Sequence, residues 1–478
     1  MNPYFTVIQH ELAQARASRR FWLLLMTATL LIFLAVAQGS LLYQRQTTER
    51  LKLEQSAQAE WVSQEAKRPH VAHHFGKWVV KPLSPLSIFD RGVEDYLGQQ
   101  IVLDAHNSSD PVGSNAEEDP LLAQIGAFDL AFVTAFLLPL MVIFLTYDAV
   151  CGEKERGTLR MVLSHPISRK SFLLGKWSAN GLIILIAFGI PLAAGILVAP
   201  IIFSIDFHAD DLLRLLALLG ASLAYLLFFA FCAMWVSSIT PRPSTALGYL
   251  FVIWVTAVFF LPKMSVFIAE QVHPLPDPVL LHREQAQIRE ARQEWRNVRF
   301  NEVVQELRKK FPEIPEDFAF TAMTQSERAP ADWRVDPTGV LATESNAQLN
   351  ELRRKAIDKV KGQYERQERL AMRAALISPT TSFLNVSMAL AGTDPARHQH
   401  FKGQVDAFFD ELGSFFNDLW ARNVQSFNDW EAVPKFQYQE EPETAVWSRF
   451  IGWFSLLTLF CIVVAVGSIL QLNRYDVR

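Results

Sequence analysis

Cysteine is scarce. Cys151, Cys232 and Cys461 are the only three in 478 residues, too few for a disulfide framework. A phosphate-binding loop of the G-x-x-x-x-G-K-[ST] type is missing as well. The nearest string, LLGKWS at Leu173–Ser178, lacks the upstream glycine, so nucleotide binding through that device is excluded. There is no basic excess. The 45 Lys and Arg face 49 Asp and Glu for a net charge of −4, which excludes an electrostatic binder of nucleic acid. Ser, His and Asp occur without the spacing of a nucleophile and its base, so no enzymatic centre and no cofactor are expected in the chain itself. Charge is also thin inside the long apolar stretches, and that scarcity decides the class.

Six apolar runs are long enough to cross a bilayer, whose hydrocarbon core takes about twenty helical residues. They are Phe21–Tyr43, Gly126–Tyr147, Trp177–Phe203, Leu213–Ile239, Ala246–Ile268 and Val446–Leu470. The first follows Arg19 and Arg20 and outlasts a signal-peptide core, so it reads as a signal anchor despite AQGS at Ala37–Ser40. Pro191 and Pro262 lie inside the third and fifth runs and are expected to kink them. Lys and Arg in the short flanks set the orientation. Arg16, Arg19 and Arg20 precede the first run, and Lys154, Arg156, Arg160, Arg169, Lys170 and Lys176 follow the second. Arg242 separates the fourth from the fifth, and Arg474 and Arg478 close the chain. Placing both termini in the cytoplasm collects all of them on one face and leaves Asp206, Asp210 and Asp211 outside. Residues 1–20, 148–176 and 471–478 are then cytoplasmic, and 44–125 and 269–445 are extracytoplasmic. Arg45, Arg214, Lys263 and Arg449 fall near outer ends, against the bias but outnumbered. Asp129, Arg214, Lys263 and Arg449 are the few ionisable groups of the runs, so a proton-coupled transporter is not expected.

The first outside segment opens helically at Glu49–Trp61 and then turns irregular, with KWVV and IVLD as short strands. The second is mainly helical. Apolar faces recur at Phe300, Val304, Leu307 and Phe311, and again at Leu349, Leu352, Ala356, Val360 and Tyr364. The boldest stripe is Phe401, Val405, Phe408, Leu412, Phe415 and Leu419, which reads as a domain core rather than a path for a lipid-like molecule. His70, His73 and His74 form H-x-x-H-H, weak candidates for a metal because no Cys, Asp or Glu stands at ligand spacing. The fold class is thus an all-α polytopic membrane protein, with six spans and a mainly helical extracytoplasmic domain with minor β.

Between the second and third runs lies CGEKERGTLRMVLSHPISRK, Cys151–Lys170. Gly157 permits a break, and Thr158 is a good N-cap for a helix from Leu159 with Val162 and Leu163 on its apolar side. Pro166 ends that helix, and Ser168 caps the next. The product is a short amphipathic element at the cytoplasmic surface. It can lie on lipid headgroups, merely fix topology, or enter a groove of a cytoplasmic partner.

This stretch resembles the signature of the ABC type-2 permease family, E-K/R-x-x-G-T-L, then L-S-x-P, then S/T-R and G-K. The matched positions are Glu153, Lys154, Gly157, Thr158, Leu159, Leu163, Ser164, Pro166, Ser168, Arg169, Gly175 and Lys176. The resemblance implies one membrane half of an ATP-driven exporter in a bacterial inner membrane. It would work with a second copy or a similar permease, and with a separate nucleotide-binding subunit that holds ATP and Mg. Glu153–Leu163 would be the docking element, shaped by Gly157 and Thr158, with Arg156 and Arg160 as charge partners of the ATPase. The N-terminal twenty residues resemble the family's interfacial helix. His73–Asn107 and Ile377–Phe401 resemble a subgroup with large extracytoplasmic insertions. The alternative is a non-transporting anchor whose outer domain binds an envelope partner; such an anchor has no need of a coupling element.

Overall fold

The computed structural model describes residues 3–104, 107–108, 111–114, 117, 127–164, 167–275, 278–310, 312, 362–421, 424 and 426–473. The chain divides into two compact units, Met1–Lys263 with Ala375–Arg478, and Met264–Ala374. Among the described residues, six helices are long and apolar enough to cross a membrane. The all-α polytopic fold class is borne out.

In chain order the helices are α1 (Pro3–Ala17), α2 (Arg19–Val62), α3 (Leu130–Glu155), α4 (Thr158–Ser164) and α5 (Arg169–Phe203). They continue as α6 (Ala209–Ile239), α7 (Pro243–Val272), α8 (Pro278–Lys310), α9 (Pro379–Ala391), α10 (Pro395–Ala421) and α11 (Glu443–Asn473). The six spans are α2, α3, α5, α6, α7 and α11. The first departs from the sequence reading. Its run and the helix expected from Glu49 are one helix of 44 residues, about 66 Å long and roughly twice the thickness of a hydrocarbon core. No glycine or proline interrupts the junction, and Arg45–Glu49 and Arg50–Glu54 support its exposed turns as i,i+4 pairs.

The prolines act by a particular route. Proline has no N–H, and its ring crowds the carbonyl four residues back. The second, third and fifth spans each widen into a π turn, at Val133–Leu137, Leu185–Gly189 and Thr256–Phe260, each ending two residues before a proline. Those prolines are Pro139, Pro191 and Pro262. The expected kinks at Pro191 and Pro262 are therefore π turns, and Pro139 adds a third. Freed carbonyls find partners on neighbouring helices. Tyr225 Oη donates to the Ala135 carbonyl at 2.9 Å, and Trp254 Nε1 donates to that of Phe136 at 3.2 Å.

Three apolar cores organise the larger unit. The bundle core joins the spans to Phe383, Val386 and Leu390 of α9. The outer core packs Trp61, at the end of α2, on the stripe Phe401, Val405, Phe408, Leu412 and Phe416 of α10. Phe401, Val405, Phe408 and Leu412 of the expected stripe are core, whereas Phe415 and Leu419 are partly buried and Phe416 takes the buried place beside them. A small antiparallel sheet joins it, in the order β1 (Lys77–Val80), β2 (Gln100–Asp104) and β3 (Asn107–Ser108), with Lys77 opposite Leu103. A third, small core lies at the end of the bundle opposite the outer core and contains Val150, Leu159, Phe172, Leu173 and Met234. In the other unit α8 carries Arg299 paired with Glu302 and Glu306 along its own surface. The pattern at Leu349–Val360 lies outside the described residues.

Candidate functional site

The element at Cys151–Ser164 is fastened to the bundle before it turns outward. In the last two turns of α3, the N–H groups of Val150 and Cys151 both donate to Ser237 Oγ at 2.9 Å. The Lys154 ammonium donates to the carbonyl of Ser238 and to that of Thr240, the latter at 3.2 Å. These are the open carbonyls at the C-terminus of α6, where a cation is favoured by the helix dipole. Arg20, at the start of α2, pairs with Asp148 through two hydrogen bonds of 3.1 and 3.3 Å.

Glu153 faces inward. The Lys176 ammonium is almost fully buried and lies 2.5 Å from Glu153 and 2.7 Å from Glu11 of α1. A buried cation persists only when paired, and two carboxylates from different elements hold this one. Three matched positions of the family signature therefore build one joint. Glu153 and Lys176 close it, and Gly175 lets α1 approach, since a Cβ there would meet Val7 at 2.9 Å. Tyr4 Oη and Ser178 Oγ, 2.7 Å apart, hold the other end of the same contact.

Gly157 has φ of +74° with open space around the position of a missing Cβ, so backbone conformation alone selects glycine there. Thr158 departs from its expected role. It is the first residue of α4 rather than its cap, and its hydroxyl donates back to the Glu153 carbonyl at 3.3 Å. Ser168 does cap α5, accepting from Ser171 N–H at 3.0 Å. Leu159 is fully buried and anchors α4 to the bundle. What remains outward is Glu155, Arg156, Gly157, Arg160 and Met161, the last 60% exposed. The Leu163 side chain, His165 and Pro166 lie outside the described residues. The outward face is a small apolar knob beside two guanidinium groups. Sequence reasoning passed over Ser237, Asp148 and Glu11. Asp148 and Ser237 had one available signal, since each is a polar residue at the inner end of an apolar run.

Charges are also buried at the outer ends of the spans. Lys81 pairs with Glu94 at 2.5 Å and Arg91 with Asp95 at 2.5 Å, each fully buried. Asp129 accepts from Phe132 N–H and so caps α3, and it also accepts from Arg91 N–H. Arg449 of α11 is held by Glu441 at 2.6 Å and by Asp394 at 2.9 Å, while Arg397 reaches Glu440 and the carbonyls of Pro82 and Gly392. The histidines are engaged elsewhere. His73 stacks on Phe416, His74 pairs with Asp104, and burial pushes His398 down to about 4. The His70 side chain lies outside the described residues. Among the described residues no three His, Cys, Asp or Glu side chains are grouped to hold a metal.

A family model described as "ABC-2 family transporter protein" matches residues 5–470. Over 154 residues the chain is 33% identical to the "Probable ABC transporter permease protein NosY" of Pseudomonas aeruginosa, covering 31% of this chain and 54% of that relative. Over 130 residues it is 34% identical to the protein of the same description from Stutzerimonas stutzeri, covering 26% of this chain and 45% of that relative. The chain spans about half the length of the curated relatives it matches.

Proposed function

This chain belongs to the ABC-2 transporter family, and on that premise we propose that it couples ATP hydrolysis by a separate nucleotide-binding subunit to export or extrusion of a substrate. ATP and Mg are held by that subunit. A second permease copy or a similar chain completes the membrane part. The observation that carries this reading is the division of labour within Cys151–Ser164. Glu153, Lys154 and Leu159 fix the element to α1, α5 and α6, while Arg156, Arg160 and Met161 are left outward. A knob on a rigid base can pass a push from a partner into the spans, whereas a loop that only sets topology needs no such base. The distribution of Lys and Arg supports cytoplasmic termini and therefore a cytoplasmic ATPase.

The test is co-purification with the candidate ATPase, followed by ATP hydrolysis in nanodiscs. Arg156→Glu with Arg160→Glu and Met161→Asp is expected to release the ATPase while thermal stability stays near wild type, because these side chains are exposed. Substituting Leu159 would unfold the element instead of probing it. Retention of the ATPase by the triple variant, or no association with wild type, would favour the anchor reading, in which the outer domain binds an envelope partner without transport. Work on such a partner by a moving machine is the second reading. It is favoured by the hydrogen bond from Arg91 N–H to Asp129, which ties the outer domain to α3, and by the Asp394–Arg449 ion pair, which ties it to α11.

A further inference from the structure

The fourth span, α6, has a grip at each level of the bundle. At its cytoplasmic end Ser237 and the last carbonyls hold the coupling element. Near its middle Tyr225 is fully buried, and its ring stacks on Phe383 of α9 at 4.7 Å and 13°. The Tyr225 hydroxyl donates to the Ala135 carbonyl and lies 2.9 Å from Thr380 Oγ1, which is left to donate to it. At the outer end Arg214 pairs with Glu443, where α11 begins. The helix that carries these grips is 31 residues without a proline. It is stiff along its length, as an uninterrupted helix is.

The element gripped by Tyr225 is not a span. Its first turn, at Pro379, meets α6 near the middle of that span, and its other end enters the outer ion pairs. The Thr393 carbonyl accepts from Val93 N–H at 3.0 Å, and Asp394 bonds both Arg397 N–H and Arg449. Helix α9 is thus fixed to α6 at its inner end and to the outer domain at its outer end. Polar groups at this depth are retained where they hold helices together, and Ser378 and Thr380 are both fully buried here.

We infer that Tyr225 is the positioning residue through which movement of the coupling element reaches the outer domain, by way of α9. This rests on the proposed coupling to an ATPase and specifies its route. A push on Cys151–Ser164 displaces the end of α6 that holds it. The stiff helix carries the displacement to Tyr225, and the paired hydroxyls of Tyr225 and Thr380 carry it to α9.

Hydrogen exchange on the ATPase complex in nanodiscs, with and without vanadate-trapped nucleotide, tests the route. In wild type, trapping is expected to alter exchange at both 151–164 and 379–393. In Tyr225→Phe the ring stack remains. Resting exchange in α9 is expected to rise about fivefold, as for one lost hydrogen bond, and the response of 379–393 to trapping should vanish while that of 151–164 persists. Thr380→Val should do the same. A tyrosine with only a structural role would raise resting exchange and leave the trapping response intact, which would overturn the inference. So would a wild type in which 151–164 responds and 379–393 does not. If 151–164 itself fails to respond, the ATPase coupling is wrong and this route falls with it.

Discussion

The fourth span is one unbroken helix of 31 residues, whereas the second, third and fifth each open into a π turn two residues before a proline. Both kinds of helix face the same demand, that no backbone polar group be left unpaired in the bilayer. The fourth meets it internally. The others export part of the problem to neighbours, so the Ala135 and Phe136 carbonyls are bound by Tyr225 and Trp254. A π turn is a local weak point in a helix, and three such turns surround a helix that has none. The arrangement lets the bundle deform around α6 while α6 keeps its length. It also makes Tyr225 serve two ends, satisfying a carbonyl freed in α3 and gripping α9.

The most direct way to break this contrast is to give the fourth span a proline. Gly220 lies in α6 with open space where a Cβ would stand, so a larger residue meets no clash from neighbours. Gly220→Pro is expected to destabilise by about 3 kcal/mol or more, from the lost N–H and the crowded Leu216 carbonyl. ATP hydrolysis by the associated subunit should then no longer depend on the membrane subunit. Gly220→Ala, which keeps the N–H, should be neutral or stabilising by up to about 1 kcal/mol. Thermal unfolding in detergent reads the first effect, and ATPase stimulation in nanodiscs reads the second. If both variants behaved alike, helix continuity would not be what distinguishes the fourth span.

A smaller change cuts the grip at Ser237 and leaves the helix whole. Ser237 Oγ accepts from two N–H groups, of Val150 and Cys151, and all three residues are buried. Ser237→Ala leaves both donors unpaired, an expected loss of about 1–3 kcal/mol. The Cys151–Ser164 element should then exchange amide hydrogens faster, while the α9 region keeps its wild-type rates. A loss spread evenly over the bundle would show that Ser237 supports packing in general.

How much of this was legible depended on whether the signal was local. Six apolar runs announced six spans, and the Phe401–Phe416 stripe announced the outer core, because burial repeats along a helix at a fixed period. Ser168 was readable as a cap because its partner, Ser171, is three residues away. The grips were not. Tyr225 meets residues 90 and 155 positions distant, and nothing in a leucine-rich run marks one tyrosine as a junction. Glu153 read only as the start of the docking element; the lysine that draws it inward sits at the start of the next span. The length of α2 was missed because its second half is stabilised by charge pairs, and a search for apolar runs stops where those begin.

The outer ends sharpen the comparison through pH. The fourth span is held there by Arg214 and Glu443, an ion pair, whereas the second begins among carboxyls, with Asp129 as its cap and Asp90 beside it. Asp90 is buried, and its oxygen Oδ1 accepts from Gly92 N–H. Burial first, and then the Asp129 carboxylate, push its pKa up to about 7, against the pull of the Ser387 hydroxyl, Gly92 N–H and Arg91. An unfolded aspartate loses its proton near pH 3.9, roughly. Between those values the folded chain holds a proton that the unfolded chain has released, so stability is full at the acid end and falls as pH rises through about 7. Asp90→Asn cannot ionise. It should reduce that slope and, at about pH 8, unfold at a temperature no lower than wild type. Thermal unfolding from about pH 5 to about pH 8 decides it. A wild-type profile that is flat, or one that rises, would mean that Asp90 keeps its charge in the fold, and that the second span is held at its outer end by ionised groups just as the fourth is.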